Sequence, residues 1–272
     1  MEERRSLAEL VVLIRGAGEM ASGVAHRLFR SHFKICLLEI PRPLAVRREV
    51  SFCEAVYEGE KEVEGVWSKL VPRLEEVEAV WAEGKIPLFV DPQARSTRAF
   101  LSPDVVVDAT LAKRNLGTQR TDAPLVIGLG PGFTAGKDVH VVIETNRGQN
   151  LGKVIYEGGA EPDTGIPAPV LGFTVERVLR ATGNGVFRPV RSIGEGVEKG
   201  AIVAWVEDQP VTAGIDGVIR GMLRGGTEVK EGMKVGDIDP RGKRELCFTI
   251  SEKARAIGGG VLEAILNRFN RA

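Results

Sequence analysis

The sequence predicts an α/β protein with a mainly parallel sheet in its first half and a β-rich module in its second half. A glycine-rich turn stands between a short apolar run and a helical pattern near the N-terminus, and further apolar runs continue to about residue 147. A duplicated pattern of glycines and valines lies in the second half. We therefore expect a first domain over 1–150, a connecting loop and helix over 151–183, a β module over 184–243, and a final strand and helix over 244–272 that pack back on the first domain.

Composition argues against several classes of function. The 37 Lys and Arg residues balance the 37 Asp and Glu residues, which argues against a nucleic-acid binder. No apolar run approaches the roughly 20 residues of a membrane span. Cys36, Cys53 and Cys247 form no CxxC pair, and only three histidines are present, so no metal site is expected. We expect a cytoplasmic protein with reduced thiols.

The turn after the first predicted strand matches the G-x-G-x-x-G/A fingerprint of a Rossmann-like, dinucleotide-binding fold. Gly16 permits a tight turn, Gly18 lets a phosphate approach bare backbone, and Ala21 lets helix and strand pack closely. The helix that begins near Met20 offers unpaired N–H groups and a positive dipole end to an anion. A turn that packs without holding a nucleotide is the alternative. The predicted cofactor-binding residues of this turn are Gly16, Ala17, Gly18, Glu19, Met20, Ala21 and Gly23.

Further polar residues and glycines follow the predicted strands, at the edge where open α/β sheets bind ligands. Glu39 ends the second strand, where an acid can hold ribose hydroxyls. Lys113 and Arg114 can pair with phosphates or form a solvated pair of charges. The Gly-Pro-Gly sequence at 130–132 can form an anion-binding nest or a tight connection. The additional predicted binding residues are Glu39, Asp108, Thr110, Lys113, Arg114, Gly130 and Gly132.

Three other segments carry secondary-structure predictions. Apolar spacing predicts helices over 66–81 and 170–181, and the run at 246–250 predicts a strand. Ser251 is the expected N-cap of a last helix. That helix contains Gly258, Gly259 and Gly260, each costing about 1 kcal/mol in a helix. We expect close backbone packing or the approach of an anionic ligand to offset this cost.

An internal repeat with an offset of 32 residues spans 184–235. The identical pairs are Gly185/Gly217, Val186/Val218, Arg188/Arg220, Gly194/Gly226, Val197/Val229, Gly200/Gly232 and Val203/Val235. Short β-prone runs separated by glycine turns can interlock as a pseudo-twofold pair. Over about 184–240 this resembles the biotinyl/lipoyl-type barrel-sandwich hybrid. The stretch that would carry the modified lysine, Val206–Val211, contains no lysine, so neither biotin nor lipoate is expected.

Four longer stretches resemble the YqeB family: Arg15–Arg30, Arg47–Phe52, Val142–Arg147 and Lys253–Glu263. The resemblance covers nearly the whole chain. It implies an accessory role in maturing a selenium-dependent molybdenum hydroxylase, by handling its pterin-based cofactor or its selenium ligand. The implied partners are that hydroxylase or its maturation machinery. More distantly, the first domain is similar in kind to XdhC-type chaperones, which hold the molybdenum cofactor.

Three functions stay open at this point. The first is an accessory protein that binds a molybdopterin-type cofactor. The second is an NAD-dependent oxidoreductase, since an acid at Glu39 favours NAD over NADP; no nucleophile–base pair is visible, however, and no catalytic residue is predicted. The third is a non-catalytic scaffold in which Arg47, Arg48, Asp163 and Thr164 contact a partner protein. Homo-oligomerisation is compatible with all three.

Overall fold

The computed structural model describes residues 6–270. The chain forms two compact units. Unit 1 contains the residues up to Pro43, Phe52–Asp163 and the residues from Ile250 onward, whereas unit 2 contains Leu44–Ser51 and Thr164–Thr249.

Unit 1 is an α/β layer built on one nine-stranded sheet. Its strands are β1 (Val11–Arg15), β2 (Lys34–Glu39), β3 (Glu60–Val63), β4 (Val66–Leu70), β5 (Ile86–Val90), β6 (Val105–Asp108), β7 (Leu125–Leu129), β8 (Val141–Ile143) and β9 (Val154–Ile155). Its helices are α1 (Glu19–Arg30), α2 (Ala55–Glu58), α3 (Val77–Ala82), α4 (Arg95–Leu101) and α5 (Glu252–Phe269).

The strand order is β3-β4-β5-β2-β1-β6-β7-β8-β9, and only the two edge strands β3 and β9 pair antiparallel. The run from β5 to β8 is parallel throughout. Numbered along the chain, these six strands stand in the order 3-2-1-4-5-6, which is that of doubly wound dinucleotide-binding sheets. The order reverses between β1 and β6. This position is the topological switch point, where such sheets bind their ligands.

The apolar runs form the sheet because both of its faces are covered. β7 is buried along its full length, as are the last four residues of β1. Continuous burial is typical of parallel strands between helical layers and explains why these runs do not alternate with polar residues. The predicted mainly parallel sheet is confirmed.

The predicted helix over 66–81 is wrong in its first part. Glu64 and Gly65 have φ values of 46° and 78°, as a two-residue type I′ turn requires, and this turn joins β3 to β4 as a hairpin. In β4 the side chain of Trp67 is exposed between buried Val66 and Ser68, which is the alternation of a strand. Helical structure begins only after Pro72, and α3 covers the last part of the predicted range.

Two further predictions are wrong. In place of a helix over 170–181, an isolated bridge and a short 3-10 turn precede a strand that pairs with another strand of unit 2. Gly172, with φ of 86°, interrupts the apparent helical spacing. In place of a strand at 246–250, residues Arg244–Cys247 form a 3-10 turn. The Arg47 guanidinium donates to the carbonyls of Leu246 and Thr249 at 3.1 and 3.0 Å, and so satisfies acceptors that a strand would pair with a neighbour.

Unit 2 consists of two antiparallel four-stranded sheets. Its strands are β10 (Val178–Arg180), β11 (Gly185–Pro189), β12 (Gly196–Val197), β13 (Ile202–Val206), β14 (Gln209–Thr212), β15 (Gly217–Met222), β16 (Glu228–Val229) and β17 (Lys234–Asp239). The sheets have the orders β10-β17-β15-β12 and β14-β13-β11-β16.

The repeat is visible in both sheets. A shift of 32 residues places β10–β13 on β14–β17, and each sheet takes two strands from each repeat. Hydrogen bonds between the repeats occur at equivalent positions. The Gly194 N–H donates to the Ile219 carbonyl at 2.8 Å, and the equivalent Gly226 N–H donates to the Phe187 carbonyl at 2.9 Å. The structure therefore confirms that the two repeats interlock.

The last helix of unit 1 packs closely against α1. A Cβ at Gly23 would lie 2.6 Å from the Ala254 Cβ, and a Cβ at Gly258 would lie 3.3 Å from the Arg27 Cβ. From the first contact to the second, the chain moves four residues towards the C-terminus on each helix. The helices α1 and α5 therefore run in the same direction. A methyl at Gly260 would overlap the Gly152 carbonyl oxygen. Backbone packing thus explains two glycines of the run, as the sequence led us to expect, while Gly259 faces open space.

We expect Gly259→Ala to raise the free energy of unfolding by about 1 kcal/mol, because alanine favours the helix and a methyl meets nothing within 4 Å. Gly260→Ala should lower it, since its methyl would displace the Gly152 backbone. Urea denaturation of the two variants beside the parent chain measures both changes. Equal effects of the same sign would contradict the packing argument.

Candidate functional site

The glycine turn lies at the switch point of the sheet. Gly16 follows β1 with φ of 95°, and its N–H donates to the Leu38 carbonyl of β2 at 2.8 Å. A Cβ at this position would lie 3.1 Å from the carbonyl oxygen of Ala109, the residue after β6. Glycine is required here because both the backbone angle and the contact with the next strand exclude a side chain.

Gly18 is a different kind of glycine. Its φ of −71° and ψ of −175° are open to any residue, and a Cβ would meet nothing within 4 Å. It is the N-cap of α1, and no side chain in the described part of the chain caps that helix end. Bare backbone at Gly18 therefore faces open space beside the positive end of a twelve-residue helix.

The N-terminus of α5 lies at the same end of unit 1. Because Ala254 contacts Gly23 and the two helices run in parallel, the first turn of α5 lies beside the first two turns of α1. Ser251 caps α5, and its hydroxyl oxygen accepts from the Ala254 N–H at 3.3 Å. Two helix dipoles thus direct their positive ends towards the same region.

Glu39 holds the turn itself. One carboxylate oxygen accepts from the Ala17 N–H and the other from the Ile40 N–H, each at 2.8 Å. Burial raises the pKa of Glu39, and these two backbone N–H groups partly offset the rise. The Ala17 carbonyl also accepts bonds, from the Ser22 hydroxyl and the Cys53 N–H. Hydrogen bonds within the protein therefore hold both the N–H and the carbonyl group of Ala17 in place.

Asp108 and Thr110 belong to a buried network at the end of β6. One Asp108 oxygen accepts from Arg15 at 3.1 Å and from the Thr118 hydroxyl at 2.5 Å. The other accepts from the N–H and the hydroxyl of Thr110 at 3.1 and 2.7 Å. Since both oxygens are occupied within the protein, Asp108 positions the neighbouring loops.

Lys113, Arg114, Gly130 and Gly132 lie in two loops that contact each other. A Cβ at Gly132, where φ is 108°, would lie 2.6 Å from the Arg114 backbone nitrogen. A Cβ at Gly130 would overlap the Thr145 hydroxyl oxygen. These two glycines therefore have a packing role. The Lys113 ammonium pairs with Asp163 at 2.6 Å.

The remaining predicted residues lie on α1. Glu19 begins the helix, and Met20 and Ala21 are buried in its first turn. Gly23 lies in the second turn against α5, so its environment is helix packing and not the open space at Gly18. Binding at any of the predicted residues stays a prediction.

Sequence reasoning did not assign a role to Lys253. This half-buried residue lies in the first turn of α5. Burial lowers the pKa of Lys253 and the Arg147 guanidinium lowers it further, whereas the carboxylates of Glu19, Glu144 and Asp163 raise it. A signal was present, because Arg147 and Lys253 lie in two of the stretches that resemble the YqeB family.

Residues 6–270 contain neither a metal-ligand cluster nor a membrane-spanning helix. Across residues 6–270, no three or more His, Cys, Asp and Glu side chains are grouped so that they could hold a metal ion. Within the same range, no helix has the length and apolar character needed to cross a membrane.

The parallel sheet with an open glycine at its switch point and the duplicated antiparallel module define an α/β protein of two units. The chain belongs to the YqeB family. It is 49% identical over 256 residues to YqeB of Escherichia coli (strain K12), which is described as uncharacterized, and the match covers 94% of this chain and 47% of that protein. The chain thus spans about half the length of the curated relative it matches. No family profile matches the sequence.

Several solved structures resemble this chain distantly. An aspartoacylase family protein from Mesorhizobium loti is 13% identical with a TM-score of 0.28, and 85% of each chain is covered. The ectoine utilization protein EutE from Ruegeria pomeroyi, in its product-bound structure, is 13% identical with a TM-score of 0.25, and 86% of each chain is covered. Scores this low support no argument about fold or function.

We expect the stability difference between the parent chain and Glu39→Gln to depend on pH. The pKa of Glu39 is higher in the folded protein than in the unfolded chain. At pH values between these two pKa values, the folded state therefore binds more protons than the unfolded state. The free energy of unfolding of the parent should therefore fall, relative to the variant, as the pH rises through that window. The amide of glutamine keeps one acceptor oxygen, and the one acceptor bond that is lost adds only a constant offset. Urea denaturation at a series of pH values from about 4 to 7 measures this difference, and parallel curves would contradict the expectation.

Proposed function

We propose that this chain binds a phosphate-bearing cofactor at the Gly18 turn and serves, in the cytoplasm, as an accessory protein in the maturation of a selenium-dependent molybdenum hydroxylase. The observation that carries the binding proposal is the open, bare backbone of Gly18 at the switch point of the sheet. Membership of the YqeB family and the resemblance of the chain motivate the choice of system.

The proposed contacts follow from the local charges. The first N–H groups of α1 have no acceptor within the helix and can donate to phosphate oxygens. The first turn of α5 adds a second positive helix end, and the Lys253 ammonium adds a full charge. A phosphate placed there would complete hydrogen bonds that the helix end alone leaves unmade.

A molybdopterin-type cofactor suits this arrangement because it carries a phosphate and, in some forms, an attached nucleotide. NAD is the alternative cofactor. The Glu39 carboxylate, which would hold the NAD ribose, is occupied by the N–H groups of Ala17 and Ile40. A ribose hydroxyl would have to compete with these bonds, so we favour the pterin.

We also infer that unit 1 is a Rossmann-like domain and that unit 2 is of the barrel-sandwich-hybrid type. The 3-2-1-4-5-6 strand order supports the first inference. The interlocked repeats support the second. The turn between β13 and β14 consists of Glu207 and Asp208, so this turn offers no lysine for a covalent carrier group, and the unit instead suits contact with a partner protein.

We expect Gly18→Val to weaken binding of molybdopterin cofactor at least a hundredfold while leaving the fold intact. The valine fits the backbone angles and its Cβ has no protein atom within 4 Å, so its methyl groups should extend into the space proposed for the ligand. Calorimetry with the cofactor, and separately with NAD, measures the loss. Gly259→Ala is the matched control, since it also adds carbon to an open glycine, in α5. Unchanged affinity in a folded Gly18→Val chain would overturn the proposed site, and tight binding of NAD alone would favour a dehydrogenase.

Lys253→Met should weaken binding of the same cofactor about tenfold, because it removes one charge-assisted hydrogen bond while keeping the length of the side chain. The loss should shrink as salt is added. Lys199→Met, on an exposed lysine of unit 2, is the control. If both lysine variants bind equally well, Lys253 takes no part in the site.

A further inference from the structure

The turn of the β3–β4 hairpin contacts the first helix of unit 1. This hairpin is an addition to the six strands of the dinucleotide-binding order, because β3 and β4 stand outside the run from β5 to β8. The carbonyl oxygen of Glu64, in the turn, accepts from the Arg30 guanidinium at 3.5 Å and lies 3.3 Å from His26 Nε2. Both of these residues belong to α1, so the backbone of Glu64 is attached to that helix.

The Glu64 side chain contacts the start of the last helix. Its Oε1 accepts from the Ile250 N–H at 2.8 Å, and its two oxygens accept from the Arg255 guanidinium at 2.7 and 2.8 Å. Ile250 stands just before the N-cap of α5 and Arg255 ends the first turn, so the two contacts lie on either side of Lys253 in the chain. Burial raises the pKa of Glu64, but the bonds from Arg255 and Ile250 outweigh burial and lower this pKa below its ordinary value. The carboxylate is therefore ionised at neutral pH.

The geometry of the turn does not favour a glutamate at position 64. Glu64 has a φ of 46°, and the first position of a type I′ turn prefers Asn, Asp or Gly, which tolerate a positive φ. A glutamate here makes the turn less stable than an asparagine would. Contacts elsewhere in the structure must offset that cost. The bonds from the Glu64 carboxylate to the start of α5 are such contacts, and they need the length of a glutamate side chain.

We propose that Glu64 is a positioning residue of the cofactor site. It holds the first turn of α5 against α1 and so places Lys253 for the proposed contact with the cofactor phosphate. This inference rests on the function proposed above, because Lys253 is the cation that we assign to that phosphate. Glu64 itself contacts no ligand, and its effect on binding passes through Lys253.

Calorimetry with molybdopterin cofactor tests this role in the full chain. Glu64→Asn places a residue in the turn that suits its backbone angles, but the shorter side chain cannot bridge Ile250 and Arg255. We expect this variant to bind the cofactor about tenfold more weakly than the parent chain. Glu60→Gln is the matched control on the same hairpin, since the Glu60 carboxylate pairs with Lys85 and not with α5. It should leave the affinity unchanged.

Combination with Lys253→Met separates positioning from a general loss of stability. In the Glu64→Asn chain, Lys253→Met should weaken binding less than about threefold, because the ammonium is already out of place. If the losses of the two variants multiply in full, or if Glu64→Asn binds as tightly as the parent, Glu64 does not act through Lys253 and the proposal is wrong. Should Glu64→Asn not fold, Glu64→Gln takes its place. It keeps one acceptor oxygen but loses the ion pair with Arg255, so it should show the same non-additivity with a smaller loss, about threefold.

An NMR titration of the Lys253 side chain without cofactor tests the positioning role independently. Burial is the main cause that lowers the pKa of Lys253. If Glu64→Asn releases the first turn of α5, this pKa should rise towards its ordinary value. Loss of a nearby negative charge alone would lower the pKa of a lysine, so a rise identifies a change of position. An unchanged or lower pKa would overturn the positioning role, whereas a parent chain that binds no cofactor would overturn only the function proposed above.

Discussion

The close approach of the α1 and α5 backbones is the constraint on which the candidate site depends. Gly23 and Gly258 remove the side chains that would separate the two helices. Glycine weakens a helix, so these positions are tolerated because the packing offsets that cost. The contact brings the first turn of α5, with Lys253, beside the first two turns of α1. Neither helix alone would give an end with two dipoles and a lysine.

Much of unit 1 could be predicted from the sequence because its signals are local. Continuous apolar runs specify β1, β2, β5, β6 and β7, and the glycine fingerprint specifies the turn and α1. The β3–β4 hairpin was missed because its apolar residues coincide with helical spacing, while the decisive Glu64–Gly65 turn is only two residues long. Periodicity alone does not separate such a short strand from a helix.

The candidate site was predictable in position but not in its contacts. The fingerprint gives Gly16 and Gly18 different roles, and the backbone geometry does require Gly16 while Gly18 borders open space. Glu39 was expected to face a ligand, whereas its partners are backbone N–H groups that no sequence pattern reports. Lys253 comes near Glu19 of α1 through the packing of helices that are far apart in sequence. Contacts of this kind follow from tertiary structure and carry no local signal.

Unit 1 is assembled from three separate stretches of chain, and its last helix is made after all of unit 2. The Arg27 side chain donates to the carbonyl of Arg255, a residue 228 positions later. During synthesis on the ribosome the central sheet strands and unit 2 therefore emerge before α1 can acquire its neighbour. Contacts between such distant residues form slowly, since a long loop must close first. The nascent chain consequently cannot assemble the paired helix ends until translation has passed residue 258, which delays any anion capture there until all of unit 2 has been made.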